Sequence, residues 1–395
     1  MAREIIDRKI YCVEIWRAGQ LIGNLAPLCR ELSWVVHRNP KVGFGTISFK
    51  VDRASFVRWC KERSAAADEI TRPMRTECVV RVAHNSNRKP VIVACGYLYD
   101  APKLEINTDT YDYAFEFLSL EHKLTLLPPV ANGMVFHQLP ADDVVRDLIT
   151  ESVNSRAGAR ELAFDFRAVD KLPKIDRSYN DWKPVSEAVS DMLDNITGAG
   201  KFDVWVEWPR TFCIAKNRGL DTKSKTAAAN VFAYPYTYNV STSTRIIPLE
   251  SSPNYAERDE FATAVTLVGA GQGDAAVSVY VEDLAAIAKY GYSHVFKQFS
   301  SVTRADTLRQ KGNDLIAKST AAEDVTEIST NGVFLDWGKL SVGGLARIEN
   351  YEIGDISGYA RIDTIETNCD GNYNESVKLT LSNFDASGWT VTDAR

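Results

Sequence analysis

The chain has 395 residues and a formal net charge of −6, and 45% of its residues are hydrophobic and 25% charged. These values are typical of a globular protein of two or three domains. The acidic balance gives no overall attraction to nucleic acid or to an anionic membrane. The N-terminal segment is too charged for a signal peptide, and the sequence has no window of about 18 apolar residues that could span a membrane.

Cysteine and histidine usage argues against a disulfide framework and against a metal site. The seven cysteines include no CxxC pair and mostly lie in apolar runs, which predicts buried free thiols in a reducing compartment. The five histidines lack metal-ligand spacing. We therefore expect no metal and no cofactor. The cysteines are Cys12, Cys29, Cys60, Cys78, Cys95, Cys213 and Cys369.

Short strands dominate residues 1–130. Aromatic and β-branched residues recur in runs that Gly, Pro, Asn and Asp interrupt, as is typical of a barrel or a sandwich. One helix is expected at residues 56–66, because Phe56, Trp59, Cys60 and Arg63 fall three or four positions apart. We predict a first β-barrel domain over residues 1–130. Its strands are expected at 10–16, 21–23, 31–37, 45–51, 77–83, 91–98, 111–118 and 124–127.

Helical periodicity replaces strand alternation in residues 131–230. One helix is expected to begin at Pro140-Ala141-Asp142 and to run to about Asn154, and another covers residues 185–196. Residues 202–208 and 212–216 alternate as a hairpin joined through Pro209-Arg210. The polar and basic residues 217–230 are expected to form an exposed loop. This segment is predicted to be a small α/β middle domain.

Strand patterning returns in residues 231–395, which we predict to be a second β-barrel domain with a helix inserted at residues 304–318. Thr303 and Asp306 form a variant of the capping box, and Leu308, Leu315 and Ile316 face inward. Gly312 lies in mid-helix at a cost of about 1 kcal/mol, so close packing or a kink is expected there. The predicted fold class is β-rich α+β, with two squashed barrels separated by the α/β domain.

A glycine cluster lies between two alternating runs in this last region. Gly269, Gly271 and Gly273 precede Asp274, and a further strand pattern follows. A phosphate-binding glycine loop would have to open a helix, so the cluster predicts a hairpin turn instead.

Four aromatic residues alternate over residues 231–240. Phe232, Tyr234, Tyr236 and Tyr238 would share one face of a strand, either in a core or in a subunit interface. Pro235 indicates an edge or a bulge. We take these four aromatics, together with Gly269, Gly271, Gly273 and Asp274, as interface candidates.

No catalytic motif is present, and we predict that the chain is not an enzyme. GxSxG, HExxH, P-loop and kinase signatures are all missing from the sequence. Asn368, Asp370, Asn372 and Asn374 resemble half of a calcium loop, but no glutamate closes it. An Asn- and Asp-rich hairpin turn is the alternative that we favour.

Three stretches in order resemble the tail hub, or baseplate hub, proteins of tailed bacteriophages, including minor tail proteins of long-tailed phages. The first is Val13-Glu14-Ile15-Trp16 with Leu21-Ile22-Gly23 and Leu32-Ser33-Trp34, which is similar to their opening strands. The second is residues 267–291, which is similar to their hairpin and the passage after it. The third is residues 304–316, which is similar to their helix before the closing strands.

The resemblance implies two similar squashed barrels in each chain and three chains in a ring of pseudo-sixfold symmetry. Such a homotrimer adapts a hexameric tail tube to a trimeric tip and surrounds the DNA-ejection channel. Its implied partners are a distal tail ring protein or the tail tube, the tape-measure protein and tip or receptor-binding proteins. DNA would only pass through, and no stable membrane association is expected. The implied location is the virion tail tip, after assembly in the host cytoplasm. Because the chain ends soon after its last predicted strand, we expect it to lack the peptidase, lysozyme-like or fibre-binding region of many relatives.

Two alternatives remain open. A tail-tip cell-wall hydrolase would place its site in the α/β segment, where Asp165, Asp170, Asp176 and Asp181 are the dense acids. A carbohydrate-binding tip protein would use some of the eight tryptophans and sixteen tyrosines.

Overall fold

A computed structural model of the chain describes residues 9–84, 90–107, 110–130, 133–179, 182–193, 202–234, 243–250, 261–271, 276–300, 302–320, 326–331, 335, 337–350, 356–370, 374–384 and 386–393. The chain divides into two compact units. Unit 1 comprises Met1–Glu250 and Glu327–Arg395, and unit 2 comprises Ser251–Thr326.

Most of the regular structure is strand. The strands are β1 (Lys9–Arg17), β2 (Gln20–Asn24), β3 (Cys29–His37), β4 (Thr46–Asp52), β5 (Thr76–His84), β6 (Val91–Leu98), β7 (Lys103–Asn107), β8 (Thr110–Ser119), β9 (Met134–Pro140), β10 (Asp165–Ala168), β11 (Lys174–Tyr179), β12 (Asp203–Glu207), β13 (Thr211–Ala215), β14 (Thr226–Tyr234), β15 (Ser243–Glu250), β16 (Ala264–Val268), β17 (Ser278–Glu282), β18 (His294–Gln298), β19 (Thr326–Asn331), β20 (Leu345–Asn350), β21 (Ile356–Cys369), β22 (Glu375–Asn383) and β23 (Thr390–Asp393).

The helices are fewer. They are α1 (Arg53–Glu62), α2 (Ala67–Ile70), α3 (Ala141–Asn154), α4 (Val185–Leu193), α5 (Leu284–Tyr290) and α6 (Ala305–Thr320), with 3-10 turns at Ala26–Leu28, Leu120–Leu126 and Ala157–Leu162.

Fifteen of the described strands join in one sheet of unit 1. Its order is β2-β1-β5-β6-β8-β4-β3-β21-β20-β14-β15-β19-β22, with β7 on β8, β23 on β14 and a further pairing of β22 with β21. The antiparallel pairing of β3 with β21, which aligns Leu32 with Cys369, joins the N-terminal and C-terminal strand regions. The predicted β-rich class is therefore confirmed. The closure of two barrels and the domain boundaries near residues 130 and 230 stay predictions.

The alternation of residue types explains why β4 packs as it does. Ile47, Phe49 and Val51 are buried, and the residues between them point to the other face of the sheet. The Asp52 carboxylate then accepts a hydrogen bond from the backbone N–H of Ser55 at 2.8 Å and begins α1. Phe56, Trp59 and Cys60 of this helix are buried, in agreement with their helical spacing.

The middle segment has its own hydrophobic core. The apolar stripe of α3 is buried, as predicted, against α4 and the neighbouring strands. The predicted hairpin at residues 202–216 is confirmed as the antiparallel pair β12 and β13, in which Trp205 lies opposite Cys213. A parallel pairing with β10 completes a three-stranded sheet.

Unit 2 is a three-stranded sheet with α6 on one face. The predicted hairpin is confirmed, because β16 and β17 pair with Leu267 opposite Val279. Leu308 and Ile316 of α6 are buried in the same cluster as Val265 and Leu267. A Cβ at Gly312 would lie 2.8 Å from Cγ2 of Val281, so close packing requires this glycine.

Two elements of unit 2 were not expected. The first is α5, which follows β17 and at whose start the Asp283 carboxylate accepts hydrogen bonds from the backbone N–H groups of Ala285 and Ala286. The strand β18, which pairs in parallel with β16, had no clear alternation signal.

Candidate functional site

The predicted aromatic interface lies only partly within the described residues. Phe232 is fully buried in the main core, Tyr234 is the last residue of β14, and Tyr236 and Tyr238 lie outside the described residues. The described part of β14 pairs with β15 on one side and β20 on the other, and Pro235, where we expect an edge or a bulge, lies outside the described residues. Contact of this strand with a second copy stays a prediction.

The predicted glycine interface is also partly described. The N–H of Gly269 donates to the carbonyl of Val277 at 2.6 Å, and a Cβ at Gly269 would lie 2.3 Å from the carbonyl oxygen of Val302. Gly271 has φ of +112°, which favours glycine. Gly273 and Asp274 lie outside the described residues. Packing and turn geometry explain the first two, and their role as a contact surface stays a prediction.

A cavity of unit 1 has a volume of about 430 Å³. Consecutive residues 92–95 of β6 and 205–208 at β12 line it, together with the ends of β3 and β8. β6 pairs with β8 only from Gly96 to Leu98, and β12 pairs only with β13 among the described strands. Two strand edges that lack partners therefore border the cavity.

Arg218 projects beside this cavity. Its Nη1 donates to the carbonyl oxygens of His37 at 3.0 Å and Arg38 at 2.9 Å, and its guanidinium lies 5.1 Å from the ring centroid of Trp205. Within the described part of the chain no carboxylate lies within 4.0 Å of this guanidinium, and burial lowers its pKa. The expected exposed loop at residues 217–230 is wrong here, because Arg218 packs inward and residues from 226 onward form β14.

A buried carboxylate ties the middle segment to both strand regions. Asp203 of β12 accepts hydrogen bonds from Nδ2 of Asn39 at 2.9 Å, the backbone N–H of Arg218 at 2.9 Å and Nη2 of Arg361 at 2.7 Å. Nε of Arg38 lies 3.6 Å from the same carboxylate. We call these five residues the Asp203 cluster.

The cluster joins segments that are far apart in sequence. Arg38 also pairs with Asp363 of β21 at 3.0 Å, and Arg361 donates to the carbonyl oxygen of Gly343 at 3.2 Å. Burial lowers the pKa of the Arg361 guanidinium, and Asp203 opposes that shift. The arrangement is suited to holding three chain segments in register.

A second buried ion pair fixes the other side of the middle segment. Glu77 of β5 lies 2.9 Å from Nζ of Lys123 and 3.1 Å from Nη2 of Arg210. Glu121 accepts a hydrogen bond from the backbone N–H of Val206 at 2.8 Å. Both carboxylates thus connect the first strand region to the β12–β13 hairpin.

Two surfaces expose large apolar side chains. The hairpin of β7 and β8 carries Leu104, Ile106 and Tyr111, which are 44%, 67% and 54% exposed; we call these three residues the hairpin tip. In unit 2, the sheet face opposite α6 carries Tyr280, Tyr292 and Phe296, which are also exposed; we call these three residues the open face. Aromatic exposure of this kind is typical of a binding surface.

The predicted acid and metal candidates have structural partners. Asp170 is buried and accepts hydrogen bonds from Lys216 N–H and Thr222 Oγ1, and Asp176 binds Gln138. Asp165 is exposed on β10, and Asp181 lies outside the described residues. Asp370 accepts hydrogen bonds from Asn374 in the turn between β21 and β22, where Asn372 is not described. The described residues contain no group of three or more His, Cys, Asp or Glu side chains that could hold a metal ion.

The cysteines behave as buried thiols. Cys29, Cys60, Cys78, Cys213 and Cys369 are buried, which confirms that expectation, and Cys12 and Cys95 are partly buried. Burial raises the pKa of Cys60 and Cys213 to about 11 and that of Cys29 to about 12. These thiols are therefore poor nucleophiles.

No helix in the described residues is long and apolar enough to cross a membrane.

Comparisons with known proteins bear on the fold. No protein-family model matches the sequence, and no characterised protein matches it either. A tail protein from Neisseria meningitidis is similar in structure, with a TM-score of 0.62 and 13% identity over 95% of this chain and 97% of that one.

Two further solved structures point the same way. The 43 kDa tail protein of prophage MuSo2 from Shewanella oneidensis has a TM-score of 0.61, 10% identity and coverage of 95% and 98%. The prophage tail protein gp18 from Listeria monocytogenes has a TM-score of 0.52, 11% identity and coverage of 94% of each chain. The chain therefore has the fold of phage tail proteins, which confirms the resemblance drawn from the sequence.

Proposed function

We propose that the chain is a structural, non-enzymatic protein of a phage-type tail and that three copies form the hub of its tip. The observation that carries this proposal is the extent of the likeness. Two tail proteins are matched over 97% and 98% of their own length, so the whole architecture is shared and not one module of it. At such low identity the comparison shows a shared fold, and the role is our inference.

Sheet connectivity supports one of the two proposed barrel-like halves of each chain, the C-terminal one. The strand β22 ends the order of the large sheet yet also pairs with β21, which lies five strands earlier in that order. This return is the connectivity that a closed barrel needs. Two such halves in each of three chains would present six similar faces to a hexameric tube.

The proposed surroundings follow from that role. The hub would contact the tail tube or a distal ring protein on one side, tip or receptor-binding proteins on the other, and the tape-measure protein inside. DNA would pass through the lumen during ejection without being held, and the net charge of −6 agrees with this. The protein would be a virion component at the tail tip, assembled in the host cytoplasm.

Light scattering and negative-stain imaging of the purified protein test the proposal. We expect a particle near 132 kDa, three times the 44.0 kDa chain, with a central hole. A monomer over a wide range of concentrations, with no ring on addition of tail tube, would contradict it. Asp165→Ala and Asp176→Ala should also leave cell-wall lysis unchanged, and loss of a measured activity would favour the hydrolase alternative.

The open face of unit 2 favours a second candidate, a carbohydrate-binding tip protein. The ring of His294 is nearly parallel to those of Tyr280 and Tyr292, with centroid distances of 6.2 and 6.5 Å and interplanar angles of 20° and 13°. Near-parallel exposed rings form a platform on which a flat ligand can stack. A glycan array with the unmodified protein and with Tyr280→Ala tests it. Binding that disappears in the variant would support this candidate, and no binding would end it.

A further inference from the structure

The hairpin tip is an unprotected apolar edge. Among the described strands β7 pairs with β8 only, with Ile106 opposite Tyr111 and Leu104 opposite Tyr113. An exposed strand edge with large apolar side chains is a ready partner for another strand. The outer edge of β7 can therefore form backbone hydrogen bonds with another strand, and the exposed side chains of the hairpin tip can pack against it.

The 430 Å³ cavity offers the matching features. Its volume is within the range of about 300–1,000 Å³ that is usual for binding pockets, and the edge of β6 at residues 92–95 borders it. The Ser119 hydroxyl lines the cavity and has no hydrogen-bond partner among the described residues. Among the described residues only Nη1 of the Arg218 guanidinium has hydrogen-bond acceptors, so Nε and Nη2 can still donate. Carbonyl groups of an incoming strand would satisfy these donors.

The two features lie at opposite ends of one strand. Tyr111 is near the start of β8 and Ser119 is its last residue. At about 3.3 Å per residue the separation is roughly 26 Å, so the tip does not reach the cavity of its own chain. A second copy has no such restriction.

We propose that the hairpin tip of one copy enters the cavity of the next, with β7 adding to the open edge of β6. A contact between two different surfaces of identical chains is head-to-tail, and it generates a ring when the rotation closes. This inference rests on the proposed three-copy hub and names the surfaces that build it. The apolar tip is then buried, and the two strand edges protect each other.

The first test compares two aspartate substitutions at exposed apolar positions. Ile106→Asp places a charge in the contact, and Leu284→Asp, at a position 70% exposed in unit 2, is the matched control. We expect Ile106→Asp to raise the concentration at which the trimer dissociates by tenfold to a hundredfold, as loss of one buried apolar side chain would. The circular dichroism spectrum should be unchanged, and Leu284→Asp should assemble normally.

The second test joins the two surfaces covalently. With Ile106→Cys and Ile92→Cys in one chain, mild oxidation should give a product near 132 kDa, three times 44.0 kDa, on a non-reducing gel. Ile92 lines the cavity, and both positions are exposed. Leu284→Cys with Ile92→Cys is the control and should not give this product.

The outcomes separate this inference from the hub proposal. A ring that persists in Ile106→Asp and yields no covalent trimer overturns the hairpin contact and leaves the hub intact. An unmodified protein that never forms a ring overturns both. Dissociation of the Ile106→Asp variant together with the specific covalent trimer establishes the contact.

Discussion

The Asp203 cluster and the hairpin tip have opposite characters. In the first, a buried carboxylate accepts hydrogen bonds from Asn39, Arg218 and Arg361, whereas the second is apolar and exposed. A buried carboxylate contributes to the fold only while its partners are present, and an exposed apolar side chain contributes almost nothing until another chain covers it. The comparison separates residues that stabilise one chain from residues that associate several.

The largest effect on stability is expected at the cluster. Asp203→Ala leaves the buried Arg361 without its carboxylate and the backbone N–H of Arg218 without its acceptor, so the free energy of unfolding should fall by about 3–5 kcal/mol. Urea unfolding followed by tryptophan fluorescence measures it. Asp176→Ala, at an exposed carboxylate, should lower this free energy far less. Equal effects of the two substitutions would contradict the assignment.

A smaller loss is expected at the second buried pair. Lys123→Met removes one partner of Glu77, but Arg210 remains 3.1 Å away, so the carboxylate keeps a cation. We expect a loss of about 1–3 kcal/mol in the same urea experiment. Lys50→Met, which removes an exposed ion pair with Glu31 and Glu105, provides the comparison and should cost no more than about 1 kcal/mol.

Two partly buried histidines make the stability of the fold depend on pH. Burial lowers the pKa of His37 and of His122 from the ordinary value of 6.5. Below pH 6.5 the unfolded chain then binds more protons than the folded chain, so stability is lost as the pH falls through that value. The double variant His37→Gln and His122→Gln should show a shallower loss between pH 7 and pH 5 in thermal unfolding.

The smallest effect on stability is expected at the hairpin tip. Ile106→Asp should change the free energy of unfolding of the isolated chain by no more than about 0.5 kcal/mol, because its side chain is 67% exposed. Thermal unfolding at a concentration below trimer dissociation measures this. A large loss would mean that Ile106 supports the fold of its own chain, and the contrast with Asp203 would fail.

Local periodicity in the sequence predicts several elements correctly. The helix α3, the β12–β13 hairpin and the burial around Gly312 agree with their patterns, because each depends on residues that are close in sequence. The sequence likewise predicts the hairpin turn at Gly269, because a strand pattern and not a helix pattern follows it.

Local periodicity does not predict features that depend on contacts between residues distant in sequence. Arg218 occurs in a polar stretch, and its inward position depends on carbonyl groups of His37 and Arg38, which no local pattern reveals. The helix α5 is short, and its alanines fit a strand pattern equally well until the cap at Asp283 is considered. The cavity itself arises from β6, β8 and β12, whose approach is a tertiary event.

The position of unit 2 in the chain has a practical consequence. It is an excursion between β15 and β19, and these strands are antiparallel neighbours with Glu250 opposite Glu327. Directly opposed residues of such a pair lie only about 5 Å apart, which a two-residue turn can bridge. The unit can therefore be gained, lost or exchanged as a cassette without altering the strand order around it, which makes it a natural place for relatives of this chain to diversify.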